Sequence, residues 1–352
     1  MLGVVACAGG GNRPQHMPAA AGAAVVASVT PATAGGSAPI GGSSGGGLAG
    51  GGAGTVAAAE DEAAPRDYIL RAASPPPNIA VPHARSAEPG DGVWKRLGDA
   101  GTSGAWFHMT VLHPHPTSRF ITVTLVSMEL VFLRFGFMPG VEDVGKREVP
   151  FVAGLVPAEH QGQLVAAFNG GFMLRHGRWG MQLGETTLQA QRDPGCSIAL
   201  DENGKVRIRS WPELAPDSSR FAAIRQTPPC LVENGALHPL LLKGVDKPWA
   251  GNTAGVVTRR RSALGISREG LRLFYAVGLE TSPRLLAEGL RAAGAEHAAE
   301  LDINWNWTRF LLFDKNAEGV RRVSKSLVEV DHSPRVYVER PSERDFFYVL
   351  RR

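Results

Sequence analysis

The sequence has little of what marks a nucleic-acid binder, a metalloprotein or a membrane-spanning protein. Over 352 residues the formal net charge is only +4, and no run of basic residues alternates with aromatics, so nucleic acid is not an expected partner. Only three cysteines are present, without the spacing of metal ligands, and we expect neither a metal nor a cofactor. The most apolar stretch, residues 121–133, contains Glu129 and is far shorter than the roughly 20 residues that span a bilayer. No transmembrane helix is therefore expected.

The N-terminal part of the chain differs in composition from the rest. Residues 1–64 consist mainly of glycine, alanine, serine and proline and contain hardly an aromatic residue. Such a segment cannot bury enough apolar surface to offset the entropy lost on ordering, so we expect it to be disordered. Residues 65–104 stay loop-like, with three consecutive prolines and several charges, and are expected to be a linker. A folded domain is expected over residues 105–352.

The first residues bear on the compartment of the protein. Met1 to Cys7 resemble the end of a bacterial lipoprotein signal, in which a small residue precedes a lipidated cysteine, but the charged start and longer apolar core of such a signal are missing. Either the start of the sequence lies too far downstream or the resemblance is chance. A glycine-rich tether leading to a folded domain favours an extracytoplasmic protein, whether periplasmic, secreted or lipid-anchored. Cys196 and Cys230 would be able to pair in such a compartment, although the sequence alone does not decide this.

The folded domain is predicted to consist mostly of β-strands. Residues rich in β-branched and aromatic side chains predict hairpins over 120–135 and 262–277, each around a short turn. Further strands are expected at residues 163–168, 196–200, 206–208, 229–232, 310–313 and 335–338. The clearest helix signal has Ser282 as N-cap, Pro283 at the first helical position and Gly294 just past the end. Many strands with a few helices predict an α+β fold around a mixed, mostly antiparallel sheet.

Polar and apolar residues alternate along residues 300–307. In an extended chain, four polar side chains would share one face and four apolar ones the other. The polar set is Glu300, Asp302, Asn304 and Asn306, and the apolar set is Leu301, Ile303, Trp305 and Trp307. The pattern predicts the end of a strand whose polar face opens into a cleft, or else a solvated face of an edge strand. It places both tryptophans on the apolar face, which favours core packing over sugar stacking.

Four segments lie in the order and at the spacing of motifs of one known family. Residues 168–172 read Phe-Asn-Gly-Gly-Phe, and the other three segments are residues 229–235, 261–266 and 285–302. With them, residues 105–350 resemble a phosphodiester glycosidase domain, the kind that removes N-acetylglucosamine from phosphodiester-capped mannose on lysosomal proteins. The family's well-known form continues after Leu-Asp with glycines and serines, whereas residues 303–307 stand there in this chain. Residues 301–304 read Leu-Asp-Ile-Asn, as in bacterial relatives. The resemblance therefore implies the family's fold with a changed substrate.

Candidate catalytic groups follow from the chemistry that the resemblance implies. Cleavage of a sugar–phosphate bond passes through an oxocarbenium-like state, and canonical glycosidases use two carboxyl groups for such cleavage. Asp302, which the resemblance marks, is the candidate base or nucleophile, and Glu300 is its nearest same-face partner, with Cα atoms about 7 Å apart in a regular strand. A structural ion pair or turn cap is the alternative for Asp302, and plain solvent exposure is the alternative for Glu300.

Candidate substrate-binding groups come from the same motifs and from the segment after Asp302. Arg261 is the expected phosphate ligand, because a guanidinium binds phosphate oxygens with two hydrogen bonds. Its alternative is a solvated basic face, since it continues a run of three arginines. Asn169, with Gly170 beside it, Asn304 and Asn306 are expected to contact the substrate through hydrogen bonds to sugar hydroxyls. A simple hairpin turn is the alternative for Asn169 and Gly170.

Two functions of different class agree with these features. The first is an extracytoplasmic hydrolase that cleaves a glycosidic or glycosyl-phosphodiester bond in envelope or exopolysaccharide material. The second is a catalytically inactive protein on the same scaffold that binds carbohydrate or organises the envelope. The retained Asp302 and Arg261 favour the hydrolase, and the replaced glycine run favours the binding protein. A carbohydrate or glycosyl phosphate is the expected partner in both cases, and the sequence leaves the oligomeric state open.

Overall fold

The computed structural model of the chain describes residues 75–250 and 259–352. The expected disorder of residues 1–64 and the lipoprotein-like start lie outside these described residues. Of the expected linker, residues 75–104 are described, and three of their apolar side chains, Ile79, Trp94 and Leu97, are buried in the core. Packing against the domain therefore starts ahead of residue 105.

The described residues form eighteen strands. In chain order they are β1 (Lys95–Arg96), β2 (Phe107–Leu112), β3 (Val123–Glu129), β4 (Leu133–Met138), β5 (Leu164–Asn169), β6 (Met181–Leu183), β7 (Thr186–Gln189), β8 (Cys196–Leu200), β9 (Val206–Ser210), β10 (Ala223–Thr227), β11 (Val232–Glu233), β12 (Ala236–Leu237), β13 (Arg259–Ser267), β14 (Arg272–Thr281), β15 (Ala295–Glu300), β16 (Phe310–Lys315), β17 (Arg321–Ser326) and β18 (Phe346–Arg351). The hairpin predicted from residues 262–277 is present as β13–β14. The hairpin predicted from residues 120–135 is wrong, because β3 pairs with β2 and β14 whereas β4 pairs with β18. Residues 335–338, predicted as a strand, form only an isolated bridge between Val336 and Arg340.

Helices are few and short in the described part of the chain. The α-helices are α1 (Val141–Val144), α2 (Ala158–Gln161), α3 (Trp211–Leu214), α4 (Pro239–Leu242) and α5 (Pro283–Ala292). The longest, α5, begins as the sequence predicted, because the Ser282 side chain accepts a hydrogen bond from the Leu285 backbone N–H at 3.2 Å. Gly294 follows the helix with a φ of +96°, a conformation that glycine adopts without steric cost. No described helix has the length and apolarity that crossing a membrane would require.

The strands assemble into three sheets whose strand pairs are antiparallel. Sheet A has eight strands in the order β1-β2-β3-β14-β13-β15-β11-β12. Sheet B has the order β17-β16-β5-β18-β4, and sheet C has the order β7-β6-β10-β8-β9. The predicted α+β class, with mostly antiparallel sheets and a few helices, is confirmed. β3 and β4 join different sheets, so the residues predicted as their hairpin connect sheet A to sheet B.

The central strands of sheet A are largely buried on both faces. On one face α5 packs with the cluster that includes Ala263, Ala276, Leu286, Leu290 and Ala298. The other face belongs to a larger core that it shares with sheets B and C, including Leu264, Tyr275, Ala299, Phe168 and Phe310. Alternate residues of β13 and β15 therefore point to opposite sides of sheet A. This alternation separates the candidate site residues into two groups.

A disulfide links sheet C to the segment that leads into β11. Cys196 at the start of β8 is bonded to Cys230, and their Cα atoms are 4.7 Å apart. Both residues are buried. The pairing that the sequence left open is thus present in the structure.

Candidate active site

Asp302 lies just past the end of β15, where its backbone is held on two sides. Its N–H donates to the Gly170 carbonyl at 2.9 Å. Its carbonyl oxygen accepts hydrogen bonds from Ser262 Oγ at 2.9 Å and from Thr308 Oγ1 at 3.1 Å. Because these partners come from three separate parts of the chain, the position of Asp302 is set by the fold as a whole.

The pKa of the Asp302 carboxyl is raised toward neutral pH. Its Oδ1 accepts a hydrogen bond from the Asn304 N–H at 3.0 Å, and its Oδ2 lies 3.8 Å from Arg344 Nη1. Burial raises the pKa of Asp302 to about 6, against the opposing effects of that hydrogen bond and of the Arg344 charge. The side chain is 8% exposed. A carboxyl with such a pKa can exchange a proton in the ordinary working range of an enzyme.

A second carboxyl with a raised pKa, Asp143, belongs to the same electrostatic environment. Burial raises the pKa of Asp143, and the negative charge of Asp345 raises it further. Asp143 and Asp302 are both influenced by the charges of Arg344 and Asp345. The Oδ2 of Asp143 also accepts a hydrogen bond from the Gly140 N–H at 2.8 Å, at the start of α1. Two carboxyls of different environment near a shared cation are a typical acid and base pairing.

Arg344 connects the two carboxyl-bearing segments. Besides the contact to Asp302, its Nε lies 3.7 Å from the Glu142 carboxylate in α1. Its guanidinium carbon is 5.2 Å from the centre of the Trp307 ring, and that of Arg309 is 4.7 Å from the same ring. Within the described residues, Nε of Arg344 and Nε of Arg309 are buried without a hydrogen-bond partner. Buried donors of this kind are usually satisfied by water or ligand, so this aromatic and cationic wall is suited to an anion.

A buried ion pair between Arg225 and Asp345 packs against Gly170 and Gly171. Arg225 Nε donates to Asp345 Oδ2 at 2.7 Å, and both side chains are at most 1% exposed. The Gly171 N–H donates to the same oxygen at 2.9 Å. A Cβ added to Gly170 would lie 2.1 Å from Asp345 Oδ2, and one added to Gly171 would lie 2.9 Å from Arg225 Cζ. Glycine is required at both positions because the ion pair approaches the backbone so closely.

Asn169 has a supporting position in this arrangement. It ends β5 and is only 2% exposed. Its Nδ2 donates to Ser262 Oγ at 2.9 Å, and its Oδ1 accepts hydrogen bonds from the Tyr275 hydroxyl at 3.0 Å and the Arg309 N–H at 3.1 Å. The amide is therefore used inside the protein rather than offered to a sugar. Asn169 and Gly170 position Asp302 and Arg309, and this differs from the direct substrate contact that the sequence predicted.

Arg261 and Glu300 form a separate pair on the opposite side of sheet A. Arg261 Nη1 donates to Glu300 Oε1 at 2.6 Å, and neither side chain is exposed. Burial raises the pKa of Glu300 to about 7, although the Arg261 charge acts in the opposite direction. Ser262, the next residue of β13, points to the side of Asn169 and Asp302, so Arg261 points away from them. The structure therefore does not bring Arg261 or Glu300 to the Asp302 carboxyl.

The segment after Glu300 is a loop and not a continuing strand. β15 ends at Glu300, and a turn follows in which Asn304 Oδ1 accepts a hydrogen bond from the Asn306 N–H at 3.0 Å. Asn304 and Asn306 are exposed in this turn, and their contact with a substrate stays a prediction. Trp305 is 55% exposed, so the expectation that it packs in the core is wrong. Short polar side chains that bond to nearby backbone N–H groups compete with strand pairing, which explains why the strand stops here.

A cleft of about 680 Å³ adjoins Asp143 and Glu142. Its other charged lining residues are cationic, namely Lys146, Arg147 and Arg175. All three lie at the exposed rim, whereas Asp143 is buried. The cleft thus combines a protonatable group with an excess of positive charge, which suits an anionic substrate. Within residues 75–250 and 259–352, no group of three or more histidine, cysteine, aspartate or glutamate side chains has a metal-binding arrangement.

The sequence points to Asp302 but not to the groups that surround it. Asp143, Arg225, Arg344 and Asp345 come from segments far from residue 302 in the sequence, and no local pattern connects them. Arg344 and Asp345 had one usable signal, because they form a charged pair directly before the apolar strand β18.

Comparison with known proteins gives remote structural likeness alone. No known family model matches the chain, and no curated protein matches it in sequence. The catalytic domain of zebrafish N-acetylglucosamine-1-phosphodiester alpha-N-acetylglucosaminidase, auto-inhibited by its pro-peptide, has a TM-score of 0.43 and 14% identity over 74% of this chain and 87% of that one. A hypothetical protein from Synechocystis has a TM-score of 0.41 and 12% identity over 74% of this chain and 61% of that one. The likeness is remote, and the chemistry of the site follows from its own side chains.

Proposed function

We propose that the chain is an extracytoplasmic hydrolase that cleaves a glycosidic or glycosyl-phosphodiester bond in envelope or exopolysaccharide material. The observation that carries this proposal is the Asp302 carboxyl, which is fixed at its backbone, has a pKa raised to about 6 and faces Arg344 at 3.8 Å. The short motifs around residues 168–172, 229–235, 261–266 and 285–302, which resemble the phosphodiester glycosidase family, support the same class of reaction. We infer a divergent member of its bacterial-type branch.

In the proposed reaction Asp302 acts on the sugar. Its carboxylate either attacks the anomeric carbon, or takes a proton from the water that attacks it, while the bond from that carbon to the leaving oxygen breaks. Arg344 and Arg309, whose guanidinium groups both lie over the Trp307 ring, stabilise the negative charge that develops on a departing phosphate. Because a phosphate leaves readily, such a cation can replace much of the role of a general acid.

Asp143 has the environment of a general acid for less reactive leaving groups. Its pKa is raised by burial and by Asp345, so the group keeps its proton at a higher pH than an ordinary aspartate does. It lines the 680 Å³ cleft at the side where Arg344 contacts Glu142. A substrate whose phosphate occupies the cationic rim would thus have Asp143 beside it. Arg344, which contacts Glu142 of this cleft, also contacts Asp302.

The disulfide supports the proposed compartment. The Cys196–Cys230 bond is of a kind that persists in oxidising environments outside the cytoplasm and is rare within it. A cytoplasmic protein of ordinary reducing surroundings would be expected to keep both thiols free.

The carbohydrate-binding alternative is favoured by one observation. Residues 303–307 replace the glycine run of the family's well-known form with asparagines and tryptophans, of which Asn304, Trp305 and Asn306 are exposed. Exposed side chains of this kind are typical of a sugar-binding surface and need no catalysis.

Hydrolysis in ¹⁸O-labelled water distinguishes the two functions. Purified protein is incubated with a panel of glycosyl phosphodiesters and neutral glycans, and the products are analysed by mass spectrometry. The proposal predicts turnover of at least one member, with ¹⁸O on the sugar, because the bond to the anomeric carbon is broken. Label on the phosphate would contradict this chemistry, and binding without turnover across the panel would favour the inactive protein.

A further inference from the structure

A groove of about 580 Å³ lies beside the site, next to the exposed Trp305. Its walls come from β3, β13, β14, the turn after Asp302 and the segment after β17. Its lining includes Arg260, Leu279, Trp305, Asn306, Glu329 and Asp331. The volume falls in the range of small-ligand pockets, which combine apolar and aromatic surface with a few polar groups.

Trp305 is held in this groove as a rigid platform. The Arg260 guanidinium carbon lies 3.8 Å from the centre of the indole ring, so one face of the ring is covered. Arg260 is itself anchored, because its Nη1 donates to the Trp305 carbonyl at 2.8 Å and its Nη2 donates to the Glu329 carbonyl at 3.2 Å. The ring is nevertheless 55% exposed and lines the groove. An aromatic side chain fixed on one face and open elsewhere loses little entropy when a ligand stacks on it.

The charges of the groove select among possible occupants. Glu329 and Asp331 are exposed carboxylates on its rim, whereas Arg260 is only 3% exposed and its guanidinium is already stacked and hydrogen-bonded. A phosphate-rich polymer would therefore be repelled. A pyranose ring has an apolar C–H face that matches Trp305 and the 42% exposed Leu279, and hydroxyls that can donate to carboxylates and to Asn306.

The groove is joined to the candidate active site through one short turn. Asp302 Oδ1 accepts a hydrogen bond from the Asn304 N–H, and Asn304 Oδ1 accepts one from the Asn306 N–H, each at 3.0 Å. Asn306 and Trp305 line the groove. The turn that starts at the reacting carboxyl thus ends at the aromatic platform.

We propose that the groove around Trp305 is a subsite for an uncharged pyranose residue of the substrate, which stacks on Trp305 and gives hydrogen bonds to Asn306, Glu329 and Asp331. This inference rests on the proposed function, since it names the part of the substrate that this side of the site binds. The substrate then has two chemically different ends, a neutral sugar at the Trp305 groove and an anionic group at the cationic cleft of Lys146, Arg147 and Arg175.

Direct binding tests the subsite without requiring turnover. Asp302→Asn protein, in which bound sugar stays intact, is screened on an array of neutral oligosaccharides of one to six residues, and the best-binding member is titrated by calorimetry. In that background Trp305→Ala should weaken binding by about tenfold or more, and Trp305→Phe should retain most of it. The Arg260 anchor to the Trp305 carbonyl is a backbone contact and survives both changes. Trp106, 38% exposed and outside this groove, supplies the control Trp106→Ala, which should bind as its parent does.

Three results would overturn the subsite. They are the absence of any neutral ligand on the array, equal affinity of Trp305→Ala and its parent, and a preference for lysine-rich peptide over sugar. Failure of the two proposals can be told apart. Trp305-dependent sugar binding without turnover by the wild-type chain would remove the hydrolase and keep the subsite. If Trp305→Ala left turnover unaffected on every oligosaccharide substrate, the subsite would be removed and the hydrolase kept.

Discussion

Replacement of Arg261 tests whether this residue is structural, as its contacts indicate, or a phosphate ligand, as the sequence suggested. In Arg261→Gln, Glu300 loses its only cationic hydrogen-bond partner among the described residues, and the carbonyls of Trp249 and Thr281 lose donors at 2.9 and 3.2 Å. Removal of one partner from a fully buried ion pair costs about 3–5 kcal/mol. For a domain of this size such a loss lowers the melting temperature by roughly 6–20 °C.

A double variant that removes both charges tests whether the lost stability comes from an unpaired buried charge. Replacement of both partners by apolar residues of similar volume, Arg261→Met with Glu300→Leu, leaves no unpaired buried charge and should recover much of the lost stability. Calorimetric melting of the two single variants and the double variant measures the coupling between the residues. Turnover per folded molecule should change little in all of them. A melting temperature for Arg261→Gln equal to that of the wild-type chain, together with a large loss of turnover, would refute the structural role.

The Arg261–Glu300 pair makes the stability of the folded chain depend on pH in a predictable direction. The pKa of Glu300 is raised from its ordinary 4.5 to about 7, so between these values the folded chain holds a proton that the unfolded chain has lost. Stability relative to Glu300→Gln should therefore fall as the pH rises from about 4.5 to about 7, by about 3 kcal/mol, and stay level above that. Denaturant titrations at pH 4.5, 6 and 7.5 measure this difference. A difference that is independent of pH would show that folding does not raise the pKa of Glu300.

The remaining predictions concern the site and its support. Turnover should rise with pH through about 6, as Asp302 loses its proton, and Arg344→Gln should move that rise to higher pH, because the lost cation no longer favours the carboxylate. Gly170→Ala should lower stability by about 1–3 kcal/mol and reduce turnover, because its Cβ would collide with Asp345. Cys196→Ser should lower stability by about 2–4 kcal/mol, because the disulfide closes a loop with a sequence separation of 34.

Matched variants control these three experiments. Arg340→Gln removes an exposed arginine close in sequence to Arg344 and should leave the pH profile unchanged. Gly162→Ala adds a Cβ in open space and should be tolerated. Reducing agent should lower the melting temperature of the wild-type chain but not that of Cys196→Ser. A pH profile that is unmoved in Arg344→Gln, or full activity in Gly170→Ala, would contradict the geometry of the site.

Local patterns were sufficient for the fold class and for the helix that packs on sheet A. Period-two alternation and turn residues predicted the hairpin of β13 and β14, and the Ser282 cap with Gly294 marked both ends of α5. These features depend on residues close together in the sequence, where side-chain periodicity and backbone preference act directly. The antiparallel, mostly β architecture followed from them.

Which residues form the site could not be predicted from the sequence, because their contacts join segments that are far apart in the chain. Alternation along residues 300–307 placed Glu300 and Asp302 on one face, but the strand ends at Glu300, and the two carboxyls lie in different environments. The Asn-Gly-Gly segment at residues 169–171 is typical of a turn with positive φ, whereas neither glycine has one, and both are required for the close approach of Asp345 and Arg225. Such requirements arise from residues more than 50 positions away and become visible only when the chain is folded.

The most direct test of the central claim is the rate of Asp302→Asn on a substrate that the wild-type chain hydrolyses. Asn has nearly the same shape and can still accept the Asn304 hydrogen bond, so the fold and melting temperature should be retained. Loss of the reacting carboxylate should reduce kcat by roughly 10²–10⁴-fold, whereas Asp99→Asn, at an exposed aspartate, should leave it unchanged. Turnover by folded Asp302→Asn at the wild-type rate would contradict the account.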